Sequence, residues 1–149
     1  MQDQPKGMER RMVHRLLMHW RGAQHTDEIP MLDDVLSRDL GDLEKCLYVI
    51  DIRGEEAVYE RIGSNLLADG GKALIGEMIS DTPSSTLLGQ AIKYYSKVQV
   101  KQIPITLGGE FNHENGSTIL YRSLIAPMRD KDGGDSFLLG AANCKVKDA

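Results

Sequence analysis

Apolar residues recur every fourth position near the start of the chain, at Met8, Met12, Leu16 and Trp20, with Val13 and Leu17 beside them. Arg10, Arg11, Arg15 and Arg21 fall mostly elsewhere on the wheel. This spacing predicts an amphipathic helix over residues 8–21, stopped by Gly22. Its stripe must be buried, either against the rest of the domain or against the same helix of a second subunit. Leu32, Val35, Leu36, Leu40 and Leu43 predict a second, shorter helical segment, broken near Gly41. Asp33 and Asp34 sit near its start, where the helix dipole favours acids.

The pattern then changes period. Cys46–Ile52 is β-branched and apolar, which predicts a strand covered on both faces. Arg53-Gly54-Glu55 reads as a turn and Glu56–Ile62 as the returning strand. Asn65–Ile79 carries Asp69-Gly70-Gly71 and Gly76 and predicts short helical pieces. Asp81-Thr82-Pro83-Ser84 reads as a helix start, followed by a helix to about Ser96 with Leu87, Leu88, Ala91, Ile92 and Tyr95 on its apolar face. Val98–Leu107 alternates and predicts a strand at an edge or bulge, because Pro104 lies in it. Gly108–Gly116 reads as a polar loop. Thr118–Met128 and Ser136–Asn143 flank Arg129-Asp130-Lys131-Asp132-Gly133-Gly134-Asp135, which predicts a hairpin.

Two strands, a helical crossover and three more strands make an α+β layout, one antiparallel sheet with helices on one face and an amphipathic helix ahead of it. The predicted organisation is a leader over 1–7, a helical segment over 8–45, a core over 46–144 and a tail over 145–149, one domain overall. Hydrophobic residues make up 41% and charged residues 27%, which argues against both a disordered chain and a membrane-spanning one. The N-terminus has no apolar segment ending in a cleavage site, so the expected location is cytoplasmic. Net charge is −4 and no basic run exceeds Arg10-Arg11, so nucleic acid is not an expected partner. Cys46 and Cys144 lie outside any CxxC spacing and are expected to be reduced thiols.

The element order resembles that of a PAS domain. Several stretches resemble a family of short single-domain PAS-like proteins of bacteria, common in alphaproteobacteria. These are Leu17-Met18-His19-Trp20-Arg21-Gly22, Leu47-Tyr48-Val49-Ile50-Asp51, Tyr59-Glu60-Arg61-Ile62-Gly63-Ser64, and the hairpin Tyr121–Met128 with Phe137–Gly140. The likeness runs from about Leu16 to Asn143. One departure is Leu32-Asp33-Asp34-Val35, where family members often carry Arg and Asp-Pro. The resemblance implies a five-stranded sheet in the order 2-1-5-4-3, with the last strand central. Cys46 and Cys144 would then lie at the same end of the sheet.

No catalytic set emerges. His14 and His19 are five apart, off the spacing that puts two metal ligands on one helical face. There is no Gly-x-Ser-x-Gly, and Ser117 near His113 is loop proximity. No metal is expected. PAS proteins that hold haem offer a histidine from the central helix or the next strand, and residues 84–107 contain none. Light-sensing members form a cysteine–flavin bond from a helical segment after the second strand, whereas Asn143-Cys144-Lys145 follows the last strand. Haem and covalent flavin are therefore disfavoured and the cofactor is left open.

What remains is a cavity between sheet and helices, with Tyr59, Arg61, Met78, Leu88, Ile92, Tyr95, Tyr121 and Arg122 as candidate lining. The expected function is a free-standing sensory or protein-interaction domain in bacterial signalling, with a small-molecule ligand in that cavity. Its partner would be a signalling protein, and Met8, Met12, Leu16 and Trp20 would serve a homodimer or partner helix. The alternative is a small-molecule-binding enzyme on a similar curved sheet, marked by a buried carboxylate or histidine in the cavity.

Overall fold

A computed structural model of the chain describes residues 11–26, 28–67, 74–113 and 115–147. Five antiparallel strands form one sheet: β1 (Leu47–Asp51), β2 (Val58–Ile62), β3 (Ile105–Asn112), β4 (Thr118–Arg129) and β5 (Asp135–Val146). Their order is β2-β1-β5-β4-β3, which places β5 in the middle as expected. Cys46 directly precedes Leu47, whose cross-strand partner is Ala141, and Cys144 stands three residues beyond Ala141. The two cysteines therefore share one end of the sheet, and no disulfide joins them.

Helices cover both faces. On one face, here the crossover face, lie α3 (Ser64–Leu67), α4 (Leu87–Ala91) and α5 (Tyr95–Lys101), which come from the stretch between β2 and β3. On the other, the N-terminal face, lie α1 (Met12–Gly22), α2 (Leu32–Leu36) and the short three-ten helix Gly41–Cys46. The expected amphipathic helix is present, and it takes the face opposite the crossover helices. Met12, Leu16 and Trp20 are buried against Leu124, Ala126 and Met128 of β4 and Leu139 of β5. The Trp20 indole N–H donates to the carbonyl of Pro127 at 2.9 Å. From Met12 to Trp20 the stripe is thus covered within one chain. Met8 lies outside the described residues.

Directly opposed residues on antiparallel strands share a face. Leu47, Ala141 and Leu124 line up on the N-terminal face, and Tyr48, Gly140 and Ile125 on the crossover face. Because both faces are filled, Leu47, Tyr48, Val49 and Ile50 are all fully buried. This is why β1 reads as a continuous apolar run rather than an alternation.

Three local expectations are corrected. The predicted single helix over 84–96 is two short ones, with Thr86 as the cap of α4: its hydroxyl accepts from the Gly89 amide at 3.0 Å. The predicted strand over 98–107 begins as helix. Val98 is buried under α5 while Val100 is 82% exposed, and Gln102 in left-handed geometry ends the helix. The alternation there is a helix edge, and Pro104 marks the exit toward β3. The predicted loop over 108–116 is strand as far as Asn112, since Gly108 and Gly109 pair with Arg122 and Tyr121.

Candidate functional site

The crossover-face compartment is built from sheet residues of all five strands and closed by α3, α4 and α5. Of the predicted lining, Tyr59, Leu88, Ile92 and Tyr121 are buried here, and Tyr95 packs at the margin. Met78 is 37% exposed and bridges to Val58 along the outer edge of β2. Arg61 and Arg122 are exposed and belong to the opposite face. Arg122 alternates away from Tyr121 along β4 and borders a groove with Val13 and Leu17 of α1. Arg61 has a different cause. Ile50 pairs with Tyr59 but Val49 pairs with Arg61, so a β-bulge holds one extra residue between them. Tyr59 and Arg61 are two apart and would share a face in a regular strand. The bulge sends them to opposite faces, and the eight candidates do not form one lining.

The compartment's polar atoms are mostly phenols. Thr82 donates its hydroxyl to the Ile79 carbonyl at 2.8 Å, so the Tyr59 hydroxyl must donate to Thr82 Oγ1, at 2.5 Å. Burial pushes Tyr59 up to about 12, against the opposing effect of the Thr82 bond. Burial, and then the nearby Tyr59, raises Tyr48 further. Burial also raises Tyr121, which meets Phe111 edge to face at 5.8 Å between ring centroids. All three phenols are therefore neutral donors at physiological pH. The Tyr48 hydroxyl is fully buried and has no hydrogen-bond partner among the described residues. Gln90 on α4 donates its amide to the Ser84 carbonyl at 2.6 Å, while its side-chain oxygen is buried without a partner among the described residues. Neither Tyr48 nor Gln90 stands out among the candidates that sequence reasoning supplies. Each sits inside an apolar run, and a polar atom interrupting such a run is the signal that marks them.

The centre of this compartment is occupied by protein. Tyr48, Ile50, Tyr59, Ala91 and Leu138 are completely buried. The Tyr48 ring lies across Gly140, where even a methyl group would collide with it. A recess of about 310 Å³ remains at one end, bordered by Asn65, Leu87, Phe111, His113, Asn115 and Cys144. The shifted carboxylates lie elsewhere. Arg15 holds Asp42 low, Arg53 holds Asp51 low, and Ser136 with two backbone amides holds Asp130 low. Among the described residues, no cluster of three histidine, cysteine or acidic side chains is arranged to hold a metal.

No family model matches the chain, and no curated protein matches it in sequence. The fold is similar to solved structures. The dark structure of the blue-light photoreceptor Aureochrome1 LOV superposes with a TM-score of 0.53 at 15% identity, covering 83% of this chain and 90% of that one. The light-state dimer of the fungal blue-light photoreceptor Vivid gives 0.52 at 16%, covering 95% and 97%. The LOV domain of the Erythrobacter litoralis EL346 histidine kinase gives 0.50 at 12%, covering 68% and 96%. These likenesses establish the fold class, that of PAS and LOV domains.

Such domains raise the question of a flavin. The residues here do not fit a cysteine–flavin bond formed from the segment after β2. Cysteines occur only at 46 and 144, so the segment between β2 and β3 offers no thiol. The middle of the compartment is filled by Tyr48, Tyr59 and Leu138.

Proposed function

We propose that this chain is a PAS-like sensory or protein-interaction domain of bacterial, cytoplasmic signalling. It would act by docking a signalling protein and not by catalysing a reaction. The observation that carries this reading is the pair of filled compartments on a PAS-type sheet. The crossover compartment holds neutral phenols and apolar side chains, and its described residues include no buried carboxylate or histidine of the kind an enzyme site would use. A small ligand, if one regulates the domain, would enter at the recess beside His113 and Asn115.

The output element would be α1. It lies on the sheet as a separate layer, and a partner or ligand that favours its released state would shift the population toward docking. A homodimer through this helix would use the exposed flank, His14 and Met18, unless α1 lifts away and offers Met12, Leu16 and Trp20. Removing residues 1–22 tests the reading. Light scattering should report self-association, and thermal unfolding a lower midpoint, because Leu124, Ala126 and Met128 lose their cover. Unchanged mass together with unchanged stability would sink it.

A further inference from the structure

The N-terminal face carries a second hollow that the docking reading does not use. A groove of about 520 Å³ opens between α2, the β1–β2 turn and the β4–β5 turn. Small-molecule sites typically enclose ~300–1,000 Å³. The floor is apolar: Val49 is fully buried, and Leu32 and Phe137 nearly so. Four cations reach the rim: Arg53 from the β1–β2 turn, Arg61 from β2, and Arg129 and Lys131 from the end of β4 and the turn after it.

Two of these cations are already held. Arg53 grips Asp51 with Nε at 3.0 Å and Nη2 at 2.8 Å, and its guanidinium lies 4.8 Å from the centroid of the Phe137 ring. Its side chain is still 54% exposed, which leaves guanidinium surface available to a stacked ring. Arg129 donates to the Ile29 carbonyl at 2.6 Å and to Glu28 at 3.2 Å. Arg61 and Lys131 have no ion pair or side-chain hydrogen bond among the described residues. The carboxylates of Asp33, Glu60 and Asp130 also border the groove. Asp130 is engaged by the Ser136 hydroxyl and the amides of Asp132 and Gly134, while Asp33 and Glu60 can accept from N–H groups of a ligand.

We propose that this groove binds a planar aromatic ring bearing an anionic group, the ring stacked on Arg53 and the anion met by Arg61 and Lys131. A fixed guanidinium platform loses little side-chain entropy on binding, and two uncommitted cations supply the attraction. The same chemistry occurs in nucleotides and in aromatic acids. Asp33 and Glu60 suit a ring with N–H donors, and the test separates the two sources. The site faces away from Tyr59 and Tyr121 and stands or falls independently of α1 release.

The test uses the full chain, amide NMR and titration calorimetry, with guanosine monophosphate, adenosine monophosphate, 2-naphthoate, guanosine and inorganic phosphate as probes. Saturable shifts are expected at Arg53, Arg61, Lys131 and Phe137 with a nucleotide, with naphthoate, or with both, and whichever binds names the source. Arg61→Ala should weaken binding about tenfold, as should Lys131→Ala, and added salt should weaken it too. Both residues are exposed, so unchanged melting of the variants will confirm that they fold. The proposal is overturned by no saturation up to roughly 10 mM of any anionic ring, by shifts centred on Tyr59 and Tyr121, or by unaltered affinity in both variants. Inorganic phosphate or guanosine binding as tightly as the nucleotide would also overturn it.

Discussion

Tyr48 and Gly140 form a lock at the centre of the sheet. They are cross-strand partners, and the ring occupies the space a side chain at position 140 would take. Gly140→Ala should therefore cost about 1–3 kcal/mol, as overpacking usually does. Tyr48→Phe should behave oppositely. It removes a buried hydroxyl that has no partner among the described residues, and such a group carries a desolvation penalty with no bond to offset it. Urea unfolding of both variants checks the pair, and a Tyr48→Phe loss larger than ~1 kcal/mol would mean the hydroxyl is bonded after all. At this scale the sequence is only partly legible. Tyr59 and Tyr121 read as interior tyrosines because apolar strands surround them. Arg61 cannot be placed, because one bulge residue reverses its face and nothing in Tyr59-Glu60-Arg61-Ile62 announces a bulge.

Among the elements, α1 is tied down by more than its stripe. Arg38, just past α2, donates from Nε to His19 Nδ1 at 2.9 Å, and Arg38 also lies against Gly22. Partial burial, then Arg38 and Arg15, holds His19 below its ordinary 6.5. For a base whose folded pKa is lowered, the stability is present above the unfolded value and is lost as pH falls through the folded one. The domain should thus become less stable below about pH 6.5. His19→Gln should flatten the profile between pH 7 and pH 5, as measured by thermal melts at about half-unit intervals. An identical slope in the variant would remove His19 as the cause. Helix α1 is legible because an apolar stripe repeating every fourth residue matches the helical period and not the two-residue period of a strand. The α5–β3 junction is not, since Val98-Gln99-Val100-Lys101-Gln102 alternates as a strand would and only the buried side of Val98 separates helix from strand.

Across the whole molecule, the strand order and the central place of β5 are foreseeable because chain order, hairpin turns and the likeness to PAS domains agree. The contents of the compartments are not. Whether Tyr48 or a ligand fills the middle of a cup depends on the residue across the sheet, and a glycine at 140 reads equally well as a bend. The two-sided covering of β5 has one more consequence. Leu138 faces the crossover compartment and Leu139 the N-terminal one, and both are fully buried. The strand acts as a diaphragm between two packed chambers. A change of volume in one chamber presses on the other through the backbone, with no side chain passing between them. Leu138→Val and Leu139→Val should therefore not add: their combined effect on stability should differ from the sum by about 0.5 kcal/mol or more in a double-mutant cycle. Strict additivity would mean the diaphragm is rigid, and a signal arriving on one side of the sheet would need another route to α1.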